Sequence, residues 1–160
     1  MKTLLFIFVS FITFQNISIS EARKNYKNAS NSKQNALNYY DAIKDYSGNN
    51  QTILAYKGAA FALQSKFTGT KESKKQNFTK GVNFIENAVK SEPSAVEIRM
   101  IRLSVQENIP KFMKYKMNME DDKKMILKAY ASQSNEIKKM INDYVKTSKF
   151  FTENEKNKLK

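Results

Sequence analysis

The sequence predicts an all-α protein, a single domain of about six helices in antiparallel hairpins. Three observations carry this. Glycine and proline are scarce, four and two in 160 residues, so little punctuates the chain. Apolar residues recur at steps of three and four, the period of a helix face, while alternating β-branched runs are few. Serine or threonine stands three residues ahead of glutamate or glutamine at several expected helix starts, the spacing of a capping box.

The best-marked element covers residues 94–110, SAVEIRMIRLSVQENIP. Ser94 and Glu97 have the capping-box spacing, which makes Glu97 a cap and not an acid catalyst. Pro110 supplies the stop, because proline lacks an N–H and drives the residue before it out of the helical region. At about 100° per residue, Ile98, Ile101, Val105 and Ile109 share one arc, and Val96, Met100 and Leu103 share another. Arg99, Arg102 and Gln106 lie between the arcs, and Ser104 with Asn108 is expected on the wet side.

Two readings of that polar ridge stay open. Buried arginines are normally paired, so the ridge is either an internal network with acids of neighbouring helices or a pocket for an acidic ligand or a partner's carboxylate, which the planar guanidinium fork suits.

Along the chain, Lys2, an apolar run over residues 4–14 and Ser18-Ile19-Ser20 compose an export signal. The run is too short to span as an ordinary membrane helix. Residues 1–20 are therefore expected to be a signal peptide cut near Ser20, and the mature chain to be periplasmic or secreted without a transmembrane segment. Residues 21–48 read as one N-terminal helix, loosely packed because 28–35 are polar. Residues 49–160 read as the main helical domain.

Its first helix, residues 52–67, mixes Ala55, Gly58, Ala59, Ala60 and Ala62 with bulky apolar residues, a surface for close helix packing. Tyr56 is expected to pack with its hydroxyl bonded, and Lys57 to be solvated. Ser73 with Gln76 proposes a further box ahead of a helix ending near Ser91. Residues 111–119, KFMKYKMNM, alternate basic with apolar. That suits core filler or, through lysines and aromatics, a membrane surface or acidic polymer. Glu120, Asp121 and Asp122 favour the first turn of the next helix and lack calcium-loop spacing. Residues 132–135 mark an interruption or an exposed stretch, and Thr152 with Glu155 opens a short last helix.

Composition excludes much chemistry. The chain has no cysteine and no histidine. That removes disulfides, thiolate nucleophiles, the commonest general base and the commonest metal ligand. No catalytic residue, cofactor or metal is expected. The formal charge of +13 favours acidic partners, although lysines spread along a chain are also simply a solvated face. For an exported protein, nucleic acid ranks last and is not expected.

Gly81, Ala88 and Pro93 fall where the tetratricopeptide repeat (TPR) places a small residue, alanine and proline. The first-helix signature of that repeat is not evident, so the pattern is TPR-like, a short right-handed arc or bundle. YKGAAFAL (56–63), the stretch 78–115 and Asp122-Lys123 resemble a family of small exported, uncharacterised helical proteins of Gram-negative bacteria. The resemblance implies export and an all-helical fold and brings no catalytic residues. The functional expectation is a non-catalytic interaction or scaffold protein of the cell envelope that binds a peptide or protein partner. The alternative is a binding module for an anionic small molecule or envelope polymer, using Arg99, Arg102, Gln106, Tyr56 and Lys57.

Overall fold

The computed structural model describes residues 17–109 and 113–159. The apolar run of the expected leader lies outside them, as does Pro110. Among the described residues the secondary structure is helical, with no strand. The helices are α1 (Ile19–Ala29), α2 (Lys33–Ile43), α3 (Gln51–Gln64), α4 (Lys71–Ser91), α5 (Val96–Asn108), α6 (Met119–Ala129), α7 (Asn135–Thr147) and α8 (Glu153–Asn157), with a 3-10 turn at Tyr130–Ser132 after α6.

Local chemistry sets most helix starts. Ser18, Ser32, Asn50, Thr70, Ser134 and Thr152 each accept a backbone N–H of the first turn. Full capping boxes close at Ser18–Glu21 and Thr152–Glu155. The box expected at Ser73 is displaced, because Thr70 caps α4 by accepting from the Ser73 N–H. The box expected at Ser94 does not form: Ala95 is the N-cap of α5 and no side chain caps it. At the other end Ile109 is extended, φ −93° and ψ 151°, as a residue before proline should be.

Among the described residues the count rises from about six to eight, because the expected N-terminal helix is two and the stretch around 132–135 separates α6 from α7. The N-terminal helix breaks at Ser30–Ser32, where Ser32 caps α2 and Asn35 donates to the Asn28 carbonyl at 3.0 Å. Nor is it loosely packed. Ala22, Tyr39 and Ile43 are at most 1 % exposed and share a core with Ala55, Tyr56, Ala59 and Ile98. The Tyr39 hydroxyl donates to the Tyr56 carbonyl at 2.6 Å, so residue 48 is no domain boundary. α1 also starts at the Ser18 cap, so a cut after Ser20 would remove that capping box and open the first turn.

The helices pack in consecutive pairs, α1 with α2, α3 with α4 and α5 with α6, and α3 lies against both α1 and α5. The tightest crossing joins α3 to α4. A Cβ on Gly58 would stand 2.5 Å from the Gly81 carbonyl oxygen, and one on Gly81 equally close to the Gly58 oxygen. Here backbone meets backbone, which is why α3 is built of small residues. α5 divides two cores along the predicted arcs. Ile98 and Ile101 face the first, and Val96, Met100 and Leu103 face the second with Ile126, Ile141 and Phe151. α7 covers the face formed by α1, α3 and α5 and touches all three (Arg23–Glu136, Tyr56–Met140 and a direct α5 contact).

Candidate binding cleft

The polar ridge of α5 is an internal network. Arg102 grips Asp122 of α6 with two bonds, Nε to Oδ2 at 2.7 Å and Nη2 to Oδ1 at 2.7 Å, and reaches Glu86 of α4 at 2.9 Å. Arg99 donates to the same Asp122 at 2.9 Å and to the Pro93 carbonyl. The Tyr115 hydroxyl completes the set with a 2.5 Å bond to Glu86. Asp122 is fully buried and Arg102 is 3 % exposed. All three nitrogens of each guanidinium donate to acids or carbonyls of their own chain, so both forks are turned to internal partners. Asp122 therefore serves the fold as well as the start of α6. Gln106 donates to the Met117 carbonyl at 2.6 Å and ties down the connector ahead of α6. Its Oε1 is buried with no partner among the described residues.

The structure does not bring the other two candidates to that ridge. The Tyr56 hydroxyl donates to Glu97 at 2.6 Å, and burial raises its pKa beyond the ordinary phenol range. Lys57 is not solvated. It is 8 % exposed, donates to the Tyr46 carbonyl at 2.7 Å and lies over the Phe84 ring; desolvation lowers its pKa. Ser104, expected to be wet, is buried and bonded to the Tyr26 hydroxyl.

Glu97 explains why the Ser94 box fails. Arg23 of α1 grips it with two bonds, at 2.8 and 2.7 Å, alongside the Tyr56 hydroxyl. A bidentate charge-assisted pair outweighs one exposed cap bond. The remaining Arg23 donor reaches Glu136 of α7 at 2.6 Å, so one guanidinium joins α1, α5 and α7. Its hydrogen bonds to Glu97 raise its pKa further above the ordinary arginine value. Sequence reasoning missed Arg23, although a signal was present. The chain has three arginines among its 28 basic residues, and all three lie in these networks, where a planar fork does what lysine cannot.

Beneath α7 a cleft of about 590 Å³ remains between α1, α2, α3, α5 and α7, within the roughly 300–1,000 Å³ usual for small-molecule sites. Its interior is aliphatic and thioether surface from Ala59, Ala62, Leu63, Met100, Val105 and Met140. Tyr26 and Ser104 line it too but satisfy each other. Lys24, Lys27, Lys66 and Lys139 stand at its edges. Its two acids are engaged, Glu136 with Arg23 and Asp143 with Lys27 at 2.8 Å. The Lys27 hydrogen bond holds the Asp143 carboxyl below the ordinary carboxylate range. Lys66 donates to the Asn108 carbonyl at 2.9 Å, with its pKa lowered by desolvation. The cleft thus offers apolar area and positive charge, and no free acid–base pair. Among the described residues no group of three acids gathers where a metal would sit, and no helix is long and apolar enough to cross a membrane. Comparisons with protein-family models, with curated proteins and with solved structures return no match to this chain.

Proposed function

We propose that the protein is a non-catalytic binding protein of the cell envelope, and that its ligand is a small anion-bearing molecule held in the cleft beneath α7. The observation that carries this is the pairing of an apolar interior with lysine edges whose neighbouring acids are already engaged. This keeps the anionic-ligand reading of the sequence and moves it from Arg99, Arg102, Gln106, Tyr56 and Lys57 to a different face. Export rests on the leader pattern of the first twenty residues.

The peptide-scaffold reading ranks second. Consecutive helix pairs suit a TPR-like arrangement, in which the first helix of each pair would line the partner groove. α7 occupies that face, and its links to α1 are two ion pairs at the rim. A partner helix would have to displace it.

The test is thermal shift of the purified protein against carboxylates and phosphates of graded size. A ligand at about a hundred times its Kd stabilises by about 2.7 kcal/mol, a clear rise in melting temperature. No shift with any anion at millimolar concentration sinks the anionic reading. An envelope partner captured only when α7 is unpinned by Glu136→Gln and Asp143→Asn would favour the scaffold.

A further inference from the structure

We infer that the ligand is a single-chain anionic amphiphile, with its carboxylate or phosphate head among Lys66, Lys116 and Lys149 and its apolar chain along the cleft towards Met100 and Met140. This rests on the small-anion reading of the cleft and specifies which anion.

The first argument is continuity. A second, more open hollow borders the cleft and shares Lys66, Asn108, Ile109 and Thr147 with it. To that shared rim it adds Lys116 and Lys149. Three ammonium groups therefore stand around one mouth.

The second argument is charge accounting. Among the described residues Lys116 and Lys149 have exposed side chains without an ion pair, and Lys66 meets only a carbonyl. The one acid at this rim, Glu107, accepts from the Tyr144 hydroxyl at 2.7 Å, the Ser148 hydroxyl at 2.7 Å and the Lys149 N–H at 2.6 Å; these donors are neutral, so its charge offsets one of the three lysines and leaves the rim positive. At the opposite end Arg23 is closed by Glu97 and Glu136. Among the described residues Lys24 and Lys139 on the cleft's edge also hold no ion pair, so the head placement rests on the grouping of three lysines around the shared mouth.

The third argument is the interior. Its lining phenols are satisfied within the chain, Tyr26 with Ser104, Tyr39 with the Tyr56 carbonyl and Tyr144 with Glu107, and Ala59, Ala62, Leu63, Met100, Val105 and Met140 supply hydrocarbon and thioether. A sugar or nucleotide there would leave polar groups unpaired, at a heavy penalty, whereas an alkyl chain gains affinity with every methylene buried. Met117, 70 % exposed beside Lys116, sets apolar surface next to the lysines, the combination found where proteins meet amphiphiles.

Lys66 also satisfies the C-terminus of α5, so by itself it would serve the fold. Lys116 and Lys149 hold no ion pair in it, and the test turns on them.

Titration calorimetry of the full mature chain with laurate, dodecyl phosphate, dodecanol and butyrate, at low and high salt, decides the matter. Laurate and dodecyl phosphate are expected to bind, with Kd falling about fourfold per methylene until the cleft is full. Dodecanol should bind about tenfold more weakly, and K116Q/K149Q should weaken laurate several-fold and flatten its salt dependence. The ratio of laurate to dodecyl phosphate separates a fatty acid from a phosphate-headed lipid as the source. Dodecanol binding as well as laurate, or laurate binding unmoved in K116Q/K149Q, overturns the head placement. Butyrate as tight as laurate overturns the amphiphile and leaves the small-anion reading standing. If neither short nor long acids bind, both fall.

Discussion

Two buried carboxylates, Asp122 and Glu97, are each gripped bidentately by one arginine, yet they sit in different electrostatic settings. Asp122 is enclosed by two guanidinium groups, from Arg99 and Arg102, with Glu86 and Tyr115 behind them. Glu97 has one guanidinium, and Arg23 divides itself between Glu97 and the half-exposed Glu136. The first network centres on the buried Asp122 and Arg102 in the α4–α5–α6 corner, with Arg99 and Glu86 reaching towards the surface. The second forms the rim of the cleft and reaches α7. α5 presents both, because Glu97 and Arg102 are five residues apart and so point about 140° from each other. The closed network fixes how α6 sits on α5. The open one fixes α1 and holds α7 by a replaceable exposed arm, which is where a binding site can exist without dismantling the core.

The largest expected effect is on the closed side. Asp122→Ala leaves two guanidinium groups without their shared acid and should cost about 3–5 kcal/mol, read as a fall in the urea midpoint. A loss below about 1 kcal/mol would mean that water reaches these arginines and that the two networks do not differ. Glu97→Ala should cost less, about 1.5–3 kcal/mol, since Arg23 keeps Glu136 and sits near solvent. Hydrogen exchange should then rise in α1 and the start of α7 and stay unchanged in α6. Equal losses from the two substitutions would erase the contrast.

The smallest effect is the pH response of the α7 arm. The Asp143 pKa is lowered in the folded protein by Lys27, so its contribution is present above the unfolded aspartate value of about 3.9 and is lost as pH falls through the lower folded value. The pair is exposed, 56 % for Lys27 and 44 % for Asp143, so the change is under about 1 kcal/mol. Protection factors in α7, taken relative to the intrinsic exchange rate at each pH, should fall below about pH 4 in the natural chain, with that decrement absent from Asp143→Asn. An identical profile in the two would assign the acid sensitivity elsewhere.

Much of the fold could be read from the sequence because the signals were local. Thr152 with Glu155 opens α8, Ile109 turns extended before Pro110, and the small residues of α3 mark its close crossing with α4. The two apolar arcs of α5 correspond to its two cores. Errors came where a distant group outcompeted a local one. Glu97 has the spacing of a cap, but Arg23, 74 residues earlier, takes it. Ser104 lies on the polar stripe of a helical projection, but Tyr26 buries it. The cleft could not be read at all, since its walls come from five helices and its lysines resemble any other exposed lysine in the chain.

The sequence by itself determined the helices, the small-residue seam and the exclusion of histidine and cysteine chemistry, because capping, periodicity and composition act within a few residues or need no geometry. Only the tertiary structure decided which acid each arginine meets, that Arg99 and Arg102 face inward, and that α7 roofs an apolar cleft with unpaired lysines at one end. Those facts depend on which helices become neighbours, and long-range ion pairs are settled by the packing that creates them.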